Sequence, residues 1–246
     1  MSIPPRHDLT TSQGKARSEH YIKYLIKEEK NYYGAEALVI AHPLQETFLA
    51  ARRFFLEFVG SPHYLSGTTI YAAQFMFEKF YADNVAAPSE GEIEISKKCC
   101  LAVMVKLMES RHDRVREHPY EVLYSNDSIH KEVSRINDME IQLMARMGYE
   151  ANPPTPFDYL PRLVVEYFPD ASEYEMKYTE VVSLLLKQMA REDFDAPIAT
   201  SKPSALALVA TSMIASYPDP PVFSTDNVLN VNEVDFQRYV EMMQGN

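Results

Sequence analysis

The chain has no tryptophan, two cysteines and only seven glycines among its 246 residues. So few glycines argue against a glycine-rich nucleotide fold, and no P-loop, GxSxG elbow or kinase-type glycine loop occurs. Catalytic phosphate handling and acyl transfer therefore have no residues to rest on, and neither enzymatic activity nor a cofactor is expected. Cys99 and Cys100 are adjacent, which gives neither zinc-ligand spacing nor an ordinary disulfide framework, so they read as reduced core thiols. The histidines at 7, 20, 42, 63, 112, 118 and 130 form no HExxH pattern, and no metal site is expected. No apolar run approaches the ~20 residues of a membrane span. The opening MSIPPRHDLTTSQGKAR carries no hydrophobic signal core, so an intracellular protein of nucleus or cytoplasm is expected. Positive charge is also short: 24 Lys and Arg against 35 Asp and Glu give a net charge of -11 and a pI near 5.1. Binding to a nucleic-acid backbone rests on cationic neutralisation, so an acidic adaptor is favoured over a DNA binder.

What is abundant is helical periodicity. Apolar residues recur at spacings of three and four throughout, and 16 prolines fall largely between the periodic stretches, at positions such as Pro43, Pro62, Pro88, Pro119 and Pro218. The reading is all-α. Helices are expected near 17–30, 46–60, 67–83, 93–110, 117–124 and 127–148, the last with cap candidates in Asn126, Asp127 and Ser128. A second set is expected near 157–168, 174–191, 200–217, 226–229 and 232–244, with Ala205 to Ile214 as its buried centre. The cluster Pro153-Pro154-Thr155-Pro156 is the natural boundary, because residues before proline avoid the helical region. The expected organisation is a flexible tail at 1–16, a helix and connector at 17–45, and two folds at 46–151 and 152–246.

Two charges stand out against this background. Ile129, Val133, Ile136, Glu140, Leu143 and Met147 follow one helical stripe, and Glu140 falls where an apolar residue belongs. Upstream, CCLAVMVKLME is apolar nearly all round, and Lys106 is the only charge between Cys99 and Met108. Taken singly, Lys106 reads as a lysine snorkelling at the end of its own helix, and Glu140 as a carboxylate satisfied within the chain. Taken together, two opposite charges emerging from two oily helices point to an interface.

Ala102 to Glu109 has the form AxxxKxxE; Met139-Glu140 with Leu143 follows on a later helix; then come Tyr149, Pro154-Thr155-Pro156-Phe157 and Tyr159-Leu160. In that order and spacing these pieces resemble the cyclin box, the regulatory partner of cyclin-dependent kinases. The stretch LEFVGSPHYLSGTTIYAAQFMFEKFY, Leu56 to Tyr81, is similar to the first two cyclin-box helices, and HYIKYLIKE, His20 to Glu28, is similar to the N-terminal helix of A- and B-type cell-cycle cyclins. The resemblance covers most of the chain and implies two tandem five-helix folds with an extra N-terminal helix. It also implies a regulatory subunit that pairs with a cyclin-dependent kinase and activates it in cell division.

Carried over residue by residue, the resemblance makes Lys106 and Glu140 the pair that grips the kinase small lobe, with Tyr149 as an aromatic contact and Tyr21 and Tyr24 adding area from the N-terminal helix. Many cell-cycle cyclins also carry an MRAIL-like stretch whose shallow groove recruits substrate and inhibitor peptides. This chain instead has Phe48-Leu49-Ala50-Ala51-Arg52-Arg53, with Phe55 where the family usually has tryptophan, Glu57 near the usual acidic residue and Ile93 at a groove position. Its peptide preference therefore differs from the family pattern, and the bland reading of these residues is a first-helix core stripe. That departure supports a second reading, a cyclin-fold interaction scaffold without kinase activation. Arg6 and Leu9 form an RxxL pair that resembles the degradation signal of mitotic cyclins, against the bland reading of a polar tail.

Overall fold

The computed structural model describes residues 6–33, 44–59, 65–82, 88–109, 126–148, 151–191, 201–215, 229 and 231–244, with backbone alone at 7, 8, 45 and 126–133. These residues form helices and no strand: α1 (Arg6–Thr10), α2 (Ser12–Tyr33), α3 (Gln45–Leu56), α4 (Gly67–Ala82) and α5 (Glu90–Met108). After them come α6 (Asn126–Arg146), α7 (Pro156–Tyr167), α8 (Tyr174–Ala190), α9 (Pro203–Ile214) and α10 (Glu233–Gln244). The expected helix near 117–124 lies outside the described residues, as do residues 226–228 of the one expected near 226–229 and the side chains of the Asn126 to Ser128 cap. The chain divides into two compact units, the first holding α3 to α6 and the second holding α1, α2 and α7 to α10.

In the first unit α4 and α5 are the central pair, with α3 and α6 packed against both. Both central helices are apolar nearly all round, as a helix surrounded by others must be. Ile70 to Phe77 of α4 and Cys99 to Val105 of α5 are buried without a break. A capping box starts α5: the Glu92 carboxylate accepts the Ser89 N–H at 2.8 Å, and the Glu92 N–H donates to the Ser89 hydroxyl at 3.4 Å. At the other end the Glu109 carboxylate accepts the Ser66 N–H at 2.8 Å and the Thr69 hydroxyl at 2.7 Å, so it sits on the N-terminus of α4, where the helix dipole favours an anion. After α6, Gly148 takes φ +61°, a left-handed conformation that glycine adopts at no steric cost.

The second unit is built around α9, which packs on α7, α8 and α10 and buries every residue from Pro203 to Ser212. Pro156 opens α7 behind Thr155, whose N–H and hydroxyl both donate to the Asp158 carboxylate at 2.7 Å. Helix α2 belongs here. Its buried face is Ile22, Leu25, Glu29 and Tyr33, and the Tyr33 hydroxyl donates to the Pro154 carbonyl at 2.8 Å. The reading from sequence placed a flexible tail at 1–16 and began the helix near residue 17. In the structure α1 covers Arg6 to Thr10, α2 begins at Ser12, and the Arg6 guanidinium donates to the Pro169 carbonyl.

Candidate functional site

Lys106 and Glu140 meet. The apolar face of α5 ends at Val105, fully buried, and the next residue leaves the core with its ammonium 2.8 Å and 3.0 Å from the two Glu140 carboxylate oxygens. Glu140 reaches this position because Ile136 and Leu143, its neighbours on the stripe, are 3% and 0% exposed and fix the rotation of α6. The pair itself is not sealed: the side chains of Lys106 and Glu140 are 34% and 28% exposed. On either side of it in sequence, Leu107 and Ile141 are 50% and 63% exposed, among the most open large hydrophobic residues described.

Beneath the pair the α5–α6 contact is apolar and lightly polar. The Cys99 thiol approaches the Ile136 carbonyl at 3.6 Å, and the Ser96 hydroxyl approaches the Met139 sulfur at 3.5 Å. Burial pushes the Cys99 thiol up to about 12; the Glu140 charge adds to this and Lys106 opposes it. Cys100 is pushed well above its ordinary value, again chiefly by burial. These thiols are inert groups of the core.

The other expected site residues are distributed differently. Tyr149 lies outside the described residues. Tyr21 and Tyr24 stand on α2 in the second unit, 48% and 53% exposed, with stacked rings 6.4 Å apart. On α3, Phe48, Ala51 and Phe55 are 3%, 0% and 0% exposed, and both phenylalanine rings set their edges against Phe77 of α4 at about 6 Å. Those three residues serve the core, so the surface of the expected peptide groove is left to the exposed Glu57 and the half-buried Ile93.

Three polar clusters were not anticipated. Arg52, from the segment read as a peptide groove, is buried and donates to Glu78 Oε1 at 3.2 Å, where Gln74 also donates at 2.7 Å. The visible signal was Gln74 and Glu78, four apart in an otherwise apolar helix. Glu109, the last residue of the AxxxKxxE pattern, holds the start of α4 as described above. In the second unit Glu29 accepts hydrogen bonds from the Tyr159 hydroxyl at 2.9 Å, the Ser204 N–H at 2.9 Å and the Ser204 hydroxyl at 2.8 Å. Desolvation raises the Glu29 pKa, against the pull of these bonds and of Lys202.

Among the described residues no cluster of His, Cys, Asp and Glu could hold a metal ion, and no helix is long and apolar enough to cross a membrane. The arrangement suits recognition: a half-exposed ion pair framed by open apolar side chains offers orientation through charge and affinity through area. No family model matches the chain, and no curated protein sequence is similar to it.

Proposed function

We propose that this protein is a cyclin-type regulatory subunit that binds and activates a cyclin-dependent protein kinase in cell division. The observation that carries the reading is the Lys106–Glu140 pair, which joins α5 to α6 at 2.8 Å while keeping about a third of each side chain open. The resemblance assigns kinase binding to those two residues, and Leu107 and Ile141 supply apolar area beside them. Two all-helical units, with α7 starting directly after the Pro153-Pro154-Thr155-Pro156 cluster, are in keeping with two tandem cyclin folds. In this reading the pair desolvates against the kinase small lobe and draws its mobile helix inward, which completes the lysine–glutamate pair of the kinase active site. The driving energy is the stronger contact with the active conformation than with the inactive one. Tyr149, Tyr21 and Tyr24 are candidate additional contacts, and substrate or inhibitor docking peptides are candidate further partners.

A specific observation favours the second reading, a cyclin-fold scaffold without kinase activation. Phe48, Ala51 and Phe55 are spent on the core, and Lys106 and Glu140 already satisfy each other. The two readings separate in one assay: phosphate transfer by candidate cyclin-dependent kinases, with the native chain and with the Lys106→Ala, Glu140→Ala double variant. Activation that disappears in a variant still helical by circular dichroism supports the activating subunit. Binding without activation selects the scaffold, and absence of any kinase complex removes the first reading.

A further inference from the structure

The second unit contains a cavity of about 650 Å³ between α1, α2 and α7. That volume is in the range of small-molecule sites. Its wall combines two guanidinium groups, Arg17 of α2 and Arg162 of α7, with the hydroxyls of Ser18 and Tyr21. The side chains of Arg17 and Ser18 and the Tyr21 hydroxyl have no hydrogen-bonding or ionic partner among the described residues. Among the described residues Arg162 is engaged only by Glu166, one turn along its own helix and 41% exposed, a weak surface pair that a stronger anion displaces. In a chain of net charge -11, two arginines and two free hydroxyl donors around one cavity are a local reversal of sign.

The wall also holds acceptors: the Thr11 hydroxyl oxygen, which takes the Gly14 N–H at 3.0 Å, the Gln13 amide and the Asp158 carboxylate. The Asp158 Oδ2 takes both the N–H and the hydroxyl of Thr155 at 2.7 Å to cap α7. Leu9, Ile22 and Pro161 provide an apolar portion of the wall. Two guanidinium forks with the Ser18 and Tyr21 hydroxyls match an anion with several oxygens, and the apolar wall matches the body that carries it. We propose that this cavity binds a phosphomonoester carried on an apolar or aromatic body. The ester comes either from a small molecule or from a phosphorylated side chain. This inference does not depend on the kinase-regulator reading.

The test is isothermal titration calorimetry of the full chain with phenyl phosphate, inorganic phosphate, and a short phosphotyrosyl peptide beside its unphosphorylated form. Phenyl phosphate is expected to bind one to one and more tightly than inorganic phosphate, and the unphosphorylated peptide is expected to give no heat. Arg17→Ala and Arg162→Ala should each weaken binding at least tenfold, while Arg53→Ala, an exposed arginine of the first unit, should leave it unchanged. Arg17 is exposed, so its loss should not disturb folding; Tyr21→Phe, which removes only a hydroxyl, is a second and milder probe. A phosphopeptide that binds more tightly than phenyl phosphate identifies a phosphorylated side chain as the source. Phenyl phosphate that binds more tightly than the phosphopeptide identifies a small ester. No binding of either probe, or equal binding by the Arg17→Ala and Arg53→Ala variants, overturns the proposal.

Discussion

Glu29 of α2 and Glu140 of α6 each take the place of an apolar residue on the buried stripe of a long helix, one in each unit. Glu29 is 8% exposed and is held by a tyrosine hydroxyl, a serine hydroxyl and a backbone N–H at the start of α9. Its donors are neutral and rigidly placed. Glu140 is 28% exposed and is held by the tip of a lysine, a long side chain with many rotamers. A carboxylate tied to a helix terminus and a buried tyrosine is part of the architecture. One tied to a flexible surface ammonium can exchange that partner for another at small cost. The same misplacement in sequence therefore has two physical meanings, and the partner decides which applies.

The comparison can be extended, and broken, by substitution. Beyond Glu29 in degree of enclosure lies the Arg52–Glu78 pair, with side chains 4% and 0% exposed. Arg52→Ala leaves Glu78 charged and buried and is expected to cost about 3–5 kcal/mol in urea denaturation, whereas replacing both with apolar residues of similar volume should cost far less. A small loss in the single variant would mean that enclosure does not rank these sites.

Glu29→Gln is expected to cost about 1–3 kcal/mol, because the amide cannot accept from all three donors. The cost should depend on pH. Burial raises the Glu29 pKa, so the folded chain holds that proton more tightly than the unfolded chain does. The stabilisation from protonated Glu29 is full below the ordinary glutamate pKa and is lost as pH rises through the raised folded value. Urea midpoints of the native chain and the variant, compared across the acidic range, should converge as pH increases. Divergence would reverse the sign.

At the open end of the scale, Lys106→Ala without a partner should cost less than about 1 kcal/mol, as exposed ion pairs do. A double-mutant cycle over Lys106 and Glu140 checks this directly. A coupling above that range would mark the pair as architectural, like Glu29, and would weaken its role as an interface.

Much of this was legible in the sequence because periodicity and proline placement are local properties. The unbroken apolar character of Cys99 to Val105 and of Ala205 to Ala210 announced the centres of the two units, and both stretches are buried. Lys106 at the end of one helix and Glu140 on the stripe of another were also visible, and the structure joins them. The grouping of α2 with the second unit was not read, since chain order placed it beside α3. Yet Ile22, Leu25, Glu29 and Tyr33 show the pattern that drew attention to Glu140, and the partners of Glu29, Tyr159 and Ser204, lie 130 and 175 residues further on. Arg52 was missed for a related reason. A buried arginine is unreadable until its carboxylate is known, and Glu78 is 26 residues away on another helix.

The two cysteines carry a consequence of their own. Both are buried in α5, beneath the Lys106–Glu140 pair, with thiols displaced far toward the unreactive neutral form. A thiol reagent can reach them only when α5 and its neighbours part, so the rate of labelling measures how often that happens. The chain thus contains an internal clock for the breathing of its first unit. A partner that clasps the neighbouring surface would slow that clock without touching either sulfur.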